Sequence, residues 1–243
     1  YSMNIILLAA GKSERLKPLT NDRTKGLVTI KDGQSFIDVM LNNLKRYSVN
    51  NIVIVGGHGF ELLQREIRTR HKGLPISFLY NEKYSTFNNC YSVYLAVKQY
   101  PHEDLLIINS DVLADPIILQ KAFAHQGTGL VIDNVKELTK ESMKIIVAKN
   151  GITNINKKLP ISASFGEYIG IARIAKKDIP NLLKALEQVV AHTPHLYYED
   201  AFQLMFKDVP FGIIPTNGLS WTEVDTHEDL ALAKKLYETL SLQ

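Results

Sequence analysis

Alternation of short apolar segments with helix-like segments in the first half of the chain is the feature that most constrains the fold. The apolar segments are Asn4–Ala9, Asn51–Val55, Ile76–Tyr80 and Leu105–Ile108, and a further strand is predicted at Gly26–Ile30. Between them, apolar residues recur every three or four positions, which is typical of helices that bury one face. Strands joined by such helices predict βαβ units with parallel strands and right-handed crossovers.

The pattern changes from residue 128 onward, where short strands follow one another closely before the helices return. The predicted strands are Gly129–Asp133, Met143–Ala148, Gly151–Ile155 and Tyr168–Ile174, and the predicted helices are Asp178–His192, Tyr198–Lys207 and Thr226–Leu240, with Thr226 as the N-cap of the last one. We therefore predict an α/β fold of the Rossmann-like three-layer type, in which a mixed, mainly parallel sheet carries helices on both faces.

The domain organisation predicted from this pattern is simple, because the chain contains no internal repeat, low-complexity stretch or linker. We expect residues 3–243 to form a single domain. Tyr1 and Ser2 precede Met3 and are expected not to belong to the natural protein.

Charge and cysteine content exclude several classes of protein. The 243 residues carry a net charge of +3 without a basic block, which argues against a nucleic-acid or membrane partner. The single cysteine, Cys90, excludes an intrachain disulfide framework and a cysteine-cluster metal site. The apolar run Ile5–Ala10 is too short to span a bilayer and has no basic leader, so we expect a soluble, cytoplasmic protein.

A glycine-containing loop follows the first predicted strand, at the end where parallel sheets bind ligands. Ala9–Ser13 allow close backbone approach, and Lys12, Arg15, Lys17 and Lys25 supply four cations nearby. Such a turn can hold phosphate oxygens, but on composition alone a tight turn with solvated basic residues is the simpler explanation. A P-loop would need a glycine at Ile6, and a dinucleotide fingerprint would need one at Ser13, so both motifs are excluded.

The order of residues in this loop nevertheless resembles a family signature. The segment is similar to the motif of the nucleotidyltransferases that activate phosphorylated small molecules with a nucleoside triphosphate. It reads Leu8-Ala9-Ala10-Gly11-x-x-x-Arg15-Leu16-x-Pro18-Leu19-Thr20, followed by Lys25-x-Leu27-Val28. This resemblance implies a nucleotide-diphospho-sugar transferase-like fold, with Arg15 and Lys25 holding the triphosphate. The nucleotide-binding residues that it implies are Leu8, Ala9, Ala10, Gly11, Lys12, Ser13, Asn88 and Ser92. The chain departs from the motif where Ser13 replaces a common glycine and Thr24-Lys25-Gly26 replaces Pro-Lys.

Two aspartates are candidates for binding a metal ion. Asp111 follows the strand Leu105–Ile108, and Asp225 precedes the last predicted helix. Taken alone, the first is an ordinary loop residue and the second an ordinary helix-start residue. The family resemblance implies that both bind Mg²⁺ and act in catalysis with Lys25 and Arg15, and we rank Asp115 and Glu223 below them.

A second set of motifs bears on the acceptor. Three stretches resemble bacterial cytidylyltransferases that act on phosphocholine and 2-aminoethylphosphonate, namely Asn88-Asn89-x-Tyr91-Ser92-x-Tyr94-Leu95, Gly166–Gly170 and Tyr197–Asp200. A further stretch, Lys157–Pro160, lacks the glutamate of the sugar-1-phosphate branch. The acceptor-binding residues that this implies are Lys158, Glu167, Tyr168, Tyr198, Glu199, Asp200 and Trp221, with Lys157 as a weaker candidate. Aromatic faces and carboxylates suit an ammonium group, although each tyrosine could equally pack in the core.

From this resemblance we expect a Mg²⁺-dependent enzyme that moves CMP from CTP to a small amine-bearing phosphate or phosphonate and releases pyrophosphate. The rival within enzymes is a sugar-1-phosphate nucleotidyltransferase using UTP or dTTP. A catalytically silent nucleotide-binding homologue is the rival from another class, and a dinucleotide-dependent oxidoreductase is remote. The expected partners are the nucleoside triphosphate and the acceptor, and a homodimer is an open alternative to a monomer.

Overall fold

A nine-stranded mixed sheet with helices on both sides forms the centre of the molecule. The computed structural model describes residues 3–240, so Tyr1, Ser2 and residues 241–243 lie outside the described residues. The strands are β1 (Met3–Ala9), β2 (Thr29–Lys31), β3 (Gln34–Ser35), β4 (Asn51–Gly56), β5 (Ile76–Tyr80), β6 (Asp104–Asn109), β7 (Val112–Ala114), β8 (Gly129–Asp133), β9 (Lys144–Ala148), β10 (Gly151–Asn156), β11 (Gly166–Ile174), β12 (Gly212–Pro215) and β13 (Trp221–Glu223). The helices are α1 (Phe36–Leu44), α2 (Phe60–Arg70), α3 (Cys90–Gln99), α4 (Pro116–Ala124), α5 (Ile179–His192), α6 (Tyr198–Met205) and α7 (His227–Thr239).

Parallel and antiparallel pairing divide the sheet at β6. Strands β5, β4, β1 and β6 lie side by side and are all parallel. On the other side of β6, β11 is antiparallel and is followed by β9 and β10, while β8 pairs with both β11 and β12. This arrangement confirms the predicted α/β class and its mixed, mainly parallel sheet.

Two apolar cores cover the two faces of the sheet, because successive side chains of a strand point to opposite sides. Ile6 and Leu8 of β1 belong to the core that includes α3, α5 and α6, whereas Ile5 and Leu7 belong to the core that includes α1, α2 and α4. All four side chains are buried, which explains why β1 reads as a continuous apolar run rather than an alternating one.

One predicted strand is wrong, and five strands and helices were not predicted. Gly26–Ile30 is not a strand throughout: Lys25–Leu27 form a 3₁₀ turn, and β2 begins only at Thr29. A side chain at Gly26 would meet the Ser110 hydroxyl at 2.7 Å and Ile37 at 2.8 Å, so close packing fixes this turn. The unpredicted elements are β3, β7, α4, β12 and β13.

A separate two-stranded sheet brings distant parts of the sequence to the end of β6. Strand β13 pairs antiparallel with β7, so that Glu223 lies opposite Val112. The Val224 amide also donates to the Asp111 carbonyl at 3.1 Å. Helix α7 begins directly afterwards, where Thr226 accepts from the Asp229 amide and so caps the helix as predicted. No helix within residues 3–240 is long and apolar enough to cross a membrane.

Candidate active site

A cleft of about 520 Å³ opens at the carboxyl ends of β1 and β6. Seven of the eight predicted nucleotide-binding residues line it: Leu8, Ala9, Ala10, Gly11, Ser13, Asn88 and Ser92. Lys12 does not line the cleft, and its ammonium lies 5.8 Å from the centre of the Tyr84 ring. We call residues 8–25 together with residues 81–92 the first wall, and Lys157, residues 194–197 and Glu223 the second wall.

The glycine-containing loop of the first wall is held by its own backbone. Ser13 has a φ of 52°, in the left-handed region, which explains why glycine is common at this position in the resembling family. The Ser13 carbonyl accepts hydrogen bonds from the Thr20 hydroxyl at 2.8 Å and from the Leu16 amide at 3.2 Å. The loop therefore keeps its shape with serine, and this departure from the motif is explained by the local bonds.

The rest of the first wall is the segment between β5 and α3, which folds over the same opening. Tyr84, Phe87 and Asn88 line the cleft there. A side chain at Gly57 would meet the Tyr84 Cβ at 2.4 Å, so glycine is required for Tyr84 to pack against the end of β4. The Asn89 side chain accepts from the Tyr198 amide at 3.0 Å instead of capping α3, and thereby links the first wall to α6.

Lys25 lies between the two predicted aspartates at the base of the cleft. Its Nζ is 2.6 Å from Asp111 Oδ2 and 2.6 Å from Asp225 Oδ1. Arg15 Nη2 lies 3.3 Å from Asp225 Oδ2, and its side chain is mostly exposed. The four predicted catalytic residues thus form one continuous charged cluster, although Asp111 and Asp225 are more than one hundred positions apart in sequence.

The charges in this cluster stabilise one another. Burial alone would lower the pKa of Lys25, but the Asp111 and Asp225 carboxylates outweigh it and raise that pKa. Burial likewise opposes ionisation of Asp225, but Lys25 and Arg15 hold its pKa below the usual value. Lys25 is therefore cationic and Asp225 anionic at neutral pH.

A third carboxylate joins the two aspartates. Glu223 contributes an oxygen to a group with Asp111 and Asp225 in which the three ligand atoms lie within 4.8 Å of one another. Desolvation within this group of carboxylates and the charges of the neighbouring aspartates raise the pKa of Glu223. Asp111 Oδ1 is buried and has no hydrogen-bond partner among the described residues. Hard oxygen donors with an unsatisfied buried carboxylate atom fit a divalent cation such as Mg²⁺. Asp115 has a different role, since it accepts from the Ile117 amide and caps α4.

The predicted acceptor residues, in contrast, do not line the cleft. Tyr168 and Tyr198 are buried in the core, where their hydroxyl oxygens lie 2.8 Å apart and the Tyr198 hydroxyl donates to Asn109 Oδ1 at 3.0 Å. Burial raises the pKa of both tyrosines well above the usual value. Both rings therefore pack in the core between α6 and the sheet, which is the alternative that the sequence left open.

The acidic residues predicted to face an ammonium group are also placed elsewhere. Glu199 is buried, one of its carboxylate oxygens has no partner within residues 3–240, and burial raises its pKa to about 8. Asp200 accepts from the Tyr197 amide at the start of α6. Glu167 lies on β11 and is largely buried, which raises its pKa.

The two remaining acceptor candidates lie outside the cleft as well. The Trp221 indole donates to Asp133 Oδ2 at 2.5 Å, and the ring lies under the Lys136 ammonium. Lys158 lines a separate surface depression beside Lys144 and Pro160. Its neighbour Lys157 borders that depression and also lines the main cleft. The Lys157 Nζ lies 5.8 Å from the centre of the Tyr197 ring, which also lines the cleft.

Lys157, Tyr197 and Glu223 are therefore the residues of the second wall that the sequence prediction passed over or ranked low. The signal that could have found them is positional, because each lies within two positions of a candidate that was chosen. Which member of a neighbouring pair faces a cleft depends on the pleat and on the helix start, and neither can be read from residue type.

A family model described as "Nucleotidyl transferase" matches residues 4–142, which is more than half of the chain. The curated relatives include choline-phosphate cytidylyltransferases of Streptococcus pneumoniae, 31% identical over 127 residues, and Haemophilus influenzae, 34% identical over 130 residues. These matches cover 52% and 54% of this chain but span only about half the length of each relative, 50% and 53%. A 2-aminoethylphosphonate cytidylyltransferase of Lancefieldella rimae is 23% identical over 94% of this chain and 90% of its own.

Solved structures support the same fold over nearly the whole length. The CTP:phosphocholine cytidylyltransferase of Streptococcus pneumoniae is 19% identical, has a TM-score of 0.75 and is covered over 97% of this chain and 99% of its own. The inositol-1-phosphate CTP transferase of T. maritima is 22% identical with a TM-score of 0.78, and the match covers 98% and 97% of the two chains.

Proposed function

The chain belongs to the nucleotidyl transferase family, and from that premise we propose that it moves CMP from CTP to the phosphate or phosphonate of a small amine-bearing acceptor. The acceptor oxygen attacks the α-phosphorus of CTP, a new oxygen–phosphorus bond forms, and the bond to the β-phosphate oxygen breaks. Pyrophosphate leaves with that electron pair, and no covalent enzyme intermediate is required. The reaction needs positioning and charge neutralisation rather than a nucleophilic side chain.

The observation that carries this proposal is the position of Lys25. Its ammonium contacts Asp111 and Asp225 at the base of a cleft whose upper edge is the glycine-containing loop. A triphosphate that enters under the loop brings negative charge to this point, where Lys25 and the exposed Arg15 side chain can pair with its oxygens. Charge that develops on the departing pyrophosphate is then met by cations already in place.

We propose that Asp111, Asp225 and Glu223 hold Mg²⁺ when nucleotide is bound. The support is the donor set and the unpartnered Asp111 Oδ1. Such an ion would neutralise phosphate oxygens and help to align them. Lys25 occupies the space between the two aspartates, so its ammonium has to share these carboxylates with the ion.

The choice of CTP and of an amine-bearing acceptor is supported by the relatives, which include enzymes named for phosphocholine, 2-aminoethylphosphonate and phosphoglutamine. On this chain we assign the acceptor to the second wall. Lys157 is the cation placed to pair with the acceptor phosphate or phosphonate, the role first expected of Lys158. The Tyr197 ring, already under one ammonium, offers a face to the amine.

A pyrophosphate-release screen tests the proposal. CTP, UTP, ATP, GTP and dTTP are each combined with phosphocholine, 2-aminoethylphosphonate, phosphoethanolamine and several sugar-1-phosphates, with Mg²⁺ present. We expect release with CTP and one of the amine-bearing acceptors. Release only with UTP or dTTP and a sugar-1-phosphate would establish the rival reaction, to which a curated UTP–glucose-1-phosphate uridylyltransferase of Haloferax volcanii, 28% identical over 45% of this chain, is relevant. Nucleotide binding without release under any combination would support the silent homologue.

A further inference from the structure

Lys144 is a buried lysine beside the second wall, and backbone carbonyls surround its ammonium. It is the first residue of β9 and is only 1% exposed, although lysine normally keeps its charge in water. Its Nζ donates to the carbonyl oxygens of Lys140 at 3.3 Å, Ser142 at 3.1 Å and Lys157 at 2.5 Å. Within residues 3–240 it forms no ion pair with a carboxylate, so these carbonyls are its partners.

The three hydrogen bonds use every donor that the side chain has. An ammonium has three N–H groups, which matches the three carbonyls around it. A buried charge is costly unless it is hydrogen-bonded, so loss of these bonds would be expensive. Two of the carbonyls belong to the connection between β8 and β9, and the third belongs to the residue directly after β10. Lys144 therefore connects two segments that are distant in sequence.

The bond to the Lys157 carbonyl bears directly on the cleft. Lys144 lies opposite Asn156 in the antiparallel pair of β9 and β10, and β10 ends at Asn156. The ammonium thus holds the first residue beyond the strand. Outside the strand ladders, no other hydrogen bond within residues 3–240 reaches the Lys157 main chain.

A fixed carbonyl limits where the side chain of the same residue can point. The carbonyl and the Cβ of a residue are related by one backbone dihedral angle, because the peptide group itself is planar. Rotation of the peptide between Lys157 and Lys158 would therefore turn the Lys157 side chain relative to the cleft. The hydrogen bond from Lys144 to the oxygen of this peptide opposes that rotation.

We propose that Lys144 is a positioning residue that holds the Lys157 main chain so that the Lys157 ammonium meets the phosphate or phosphonate of the acceptor. This inference rests on the proposed function, because it requires an anionic acceptor at the second wall. Lys144 does not line the cleft, and its three donors are already used. Its effect on the reaction is therefore transmitted through Lys157 and concerns the acceptor rather than CTP.

Lys144→Met tests this inference, because methionine fills much of the same space and cannot donate to the carbonyls. Pyrophosphate release is measured with CTP and either phosphocholine or 2-aminoethylphosphonate, and the KM of nucleotide and of acceptor are determined separately. We expect the acceptor KM to rise by about tenfold, as for Lys157→Ala, and the CTP KM to stay within about twofold of the wild-type value. An unchanged acceptor KM, or an equal rise in both constants, would overturn the inference.

Lys140→Met is the matched control for this change. It removes the same charge from an exposed lysine that lines the same depression, and it leaves the backbone carbonyl that Lys144 contacts. Both KM values should stay near those of the wild type. A tenfold rise in the acceptor KM with this variant would mean that the charge of the depression, rather than the position of Lys157, is what matters.

A double variant with Lys157→Ala separates positioning from general damage. If Lys144 acts through Lys157, Lys144→Met should raise the acceptor KM no further once the Lys157 ammonium is absent. The same rise in both backgrounds would show a merely structural effect and would overturn the inference. Circular dichroism establishes that the variants fold. If Lys144→Met does not, Lys144→Gln, which is shorter and keeps only two N–H donors, replaces it with the same expected results.

Failure of the inference and failure of the proposed function give different results. If the wild type releases pyrophosphate with neither acceptor, the proposed function fails and the inference fails with it. If an acceptor is used but Lys157→Ala leaves its KM unchanged, the reaction stands and the roles of Lys157 and Lys144 both fall. If Lys157→Ala raises the acceptor KM and Lys144→Met does not, only the inference fails.

Discussion

The two walls of the cleft differ in how directly the sequence reports them. In the first wall, residues 8–25 and 81–92, every predicted nucleotide-binding residue except Lys12 lines the cleft. In the second wall, the weaker candidate Lys157 lines the cleft, whereas the seven acceptor residues ranked above it do not. The same kind of motif comparison thus placed side chains on the cleft in one half of the molecule and, Lys157 apart, not in the other.

The cause of this difference is the architecture on each side of β6. The first wall follows the carboxyl ends of parallel strands, and all such ends open at the same edge of the sheet. The second wall comes mainly from the start of α6 and from the connection between β10 and β11, two strands that lie on either side of β9 and are each antiparallel to it. No general rule says which side chain of such a connection faces a neighbouring cleft. The predictions below test whether the two walls also differ in function.

Replacement of Lys25 by alanine is expected to have the largest effect. It removes the ammonium that contacts Asp111 and Asp225 and that is proposed to meet the charge on the phosphates. We expect pyrophosphate release to fall by about a thousandfold, the upper range for loss of one preorganised electrostatic group. Lys31→Ala is the matched control, because this lysine is exposed and contacts only Glu238 among described acidic groups. Release near the wild-type rate in Lys25→Ala would contradict the assignment.

Asp111→Asn tests the proposed metal ligand and is expected to lower turnover by about a hundredfold. The amide keeps the shape of the side chain but loses the charge, so higher Mg²⁺ concentrations should recover part of the rate. A Mg²⁺ titration of pyrophosphate release measures this shift. Asp115→Asn is the control, because asparagine caps a helix as well as aspartate does and Asp115 lies outside the cleft. Unchanged Mg²⁺ dependence in Asp111→Asn would exclude it as a ligand.

Glu199→Gln separates a buried core group from an acceptor-binding group. Burial raises the pKa of Glu199 to about 8 in the folded protein, whereas the pKa of a glutamate in the unfolded chain is about 4.3. Between these values the folded state holds one more proton than the unfolded state, so this group lowers stability as pH rises, by up to about 1.4 kcal/mol per pH unit. The stability is fully present below the unfolded pKa and is lost as the pH rises through the folded pKa of about 8.

Urea unfolding at several pH values between 5 and 8 measures this effect. We expect the difference in unfolding free energy between Glu199→Gln and the wild type to increase with pH in favour of the variant. Parallel curves for the two proteins would show that Glu199 is ionised in the fold and would return it to the list of candidates for binding an ammonium group.

Lys157 and Lys158 provide the sharpest comparison within the second wall. Both lysines border the separate surface depression, but Lys157 also lines the cleft and Lys158 does not. We expect Lys157→Ala to raise the acceptor KM by about tenfold, which corresponds to loss of one charge-assisted hydrogen bond. Lys158→Ala, a change of the same size and charge one position away, should leave the KM near the wild-type value. The opposite result would restore the original sequence prediction and remove the second wall as the acceptor site.

These cases show what the sequence could establish. The apolar run of β1 and the motif around Arg15 and Lys25 are local: the first predicted the class of fold correctly, and the residues of the second lie together on one wall of the cleft. Asp111 and Asp225 lie close together because β7 pairs with β13, and these two strands are too short to be recognised from the sequence. Composition could not separate Tyr197 from Tyr198 either, because the two adjacent rings differ only in the direction that the start of α6 gives them.

These adjacent tyrosines support the last and smallest prediction. The Tyr198 hydroxyl donates to Asn109 and lies 2.8 Å from that of Tyr168, whereas the Tyr197 hydroxyl has no partner within residues 3–240. Tyr198→Phe should therefore reduce the free energy of unfolding by about 1–2 kcal/mol and leave the acceptor KM unchanged. Tyr197→Phe, which removes the same hydroxyl one residue earlier and keeps the ring, should leave the stability unchanged. Equal losses of stability, measured by urea unfolding, would mean that both hydroxyls are buried, and Tyr197 would then have to be removed from the second wall.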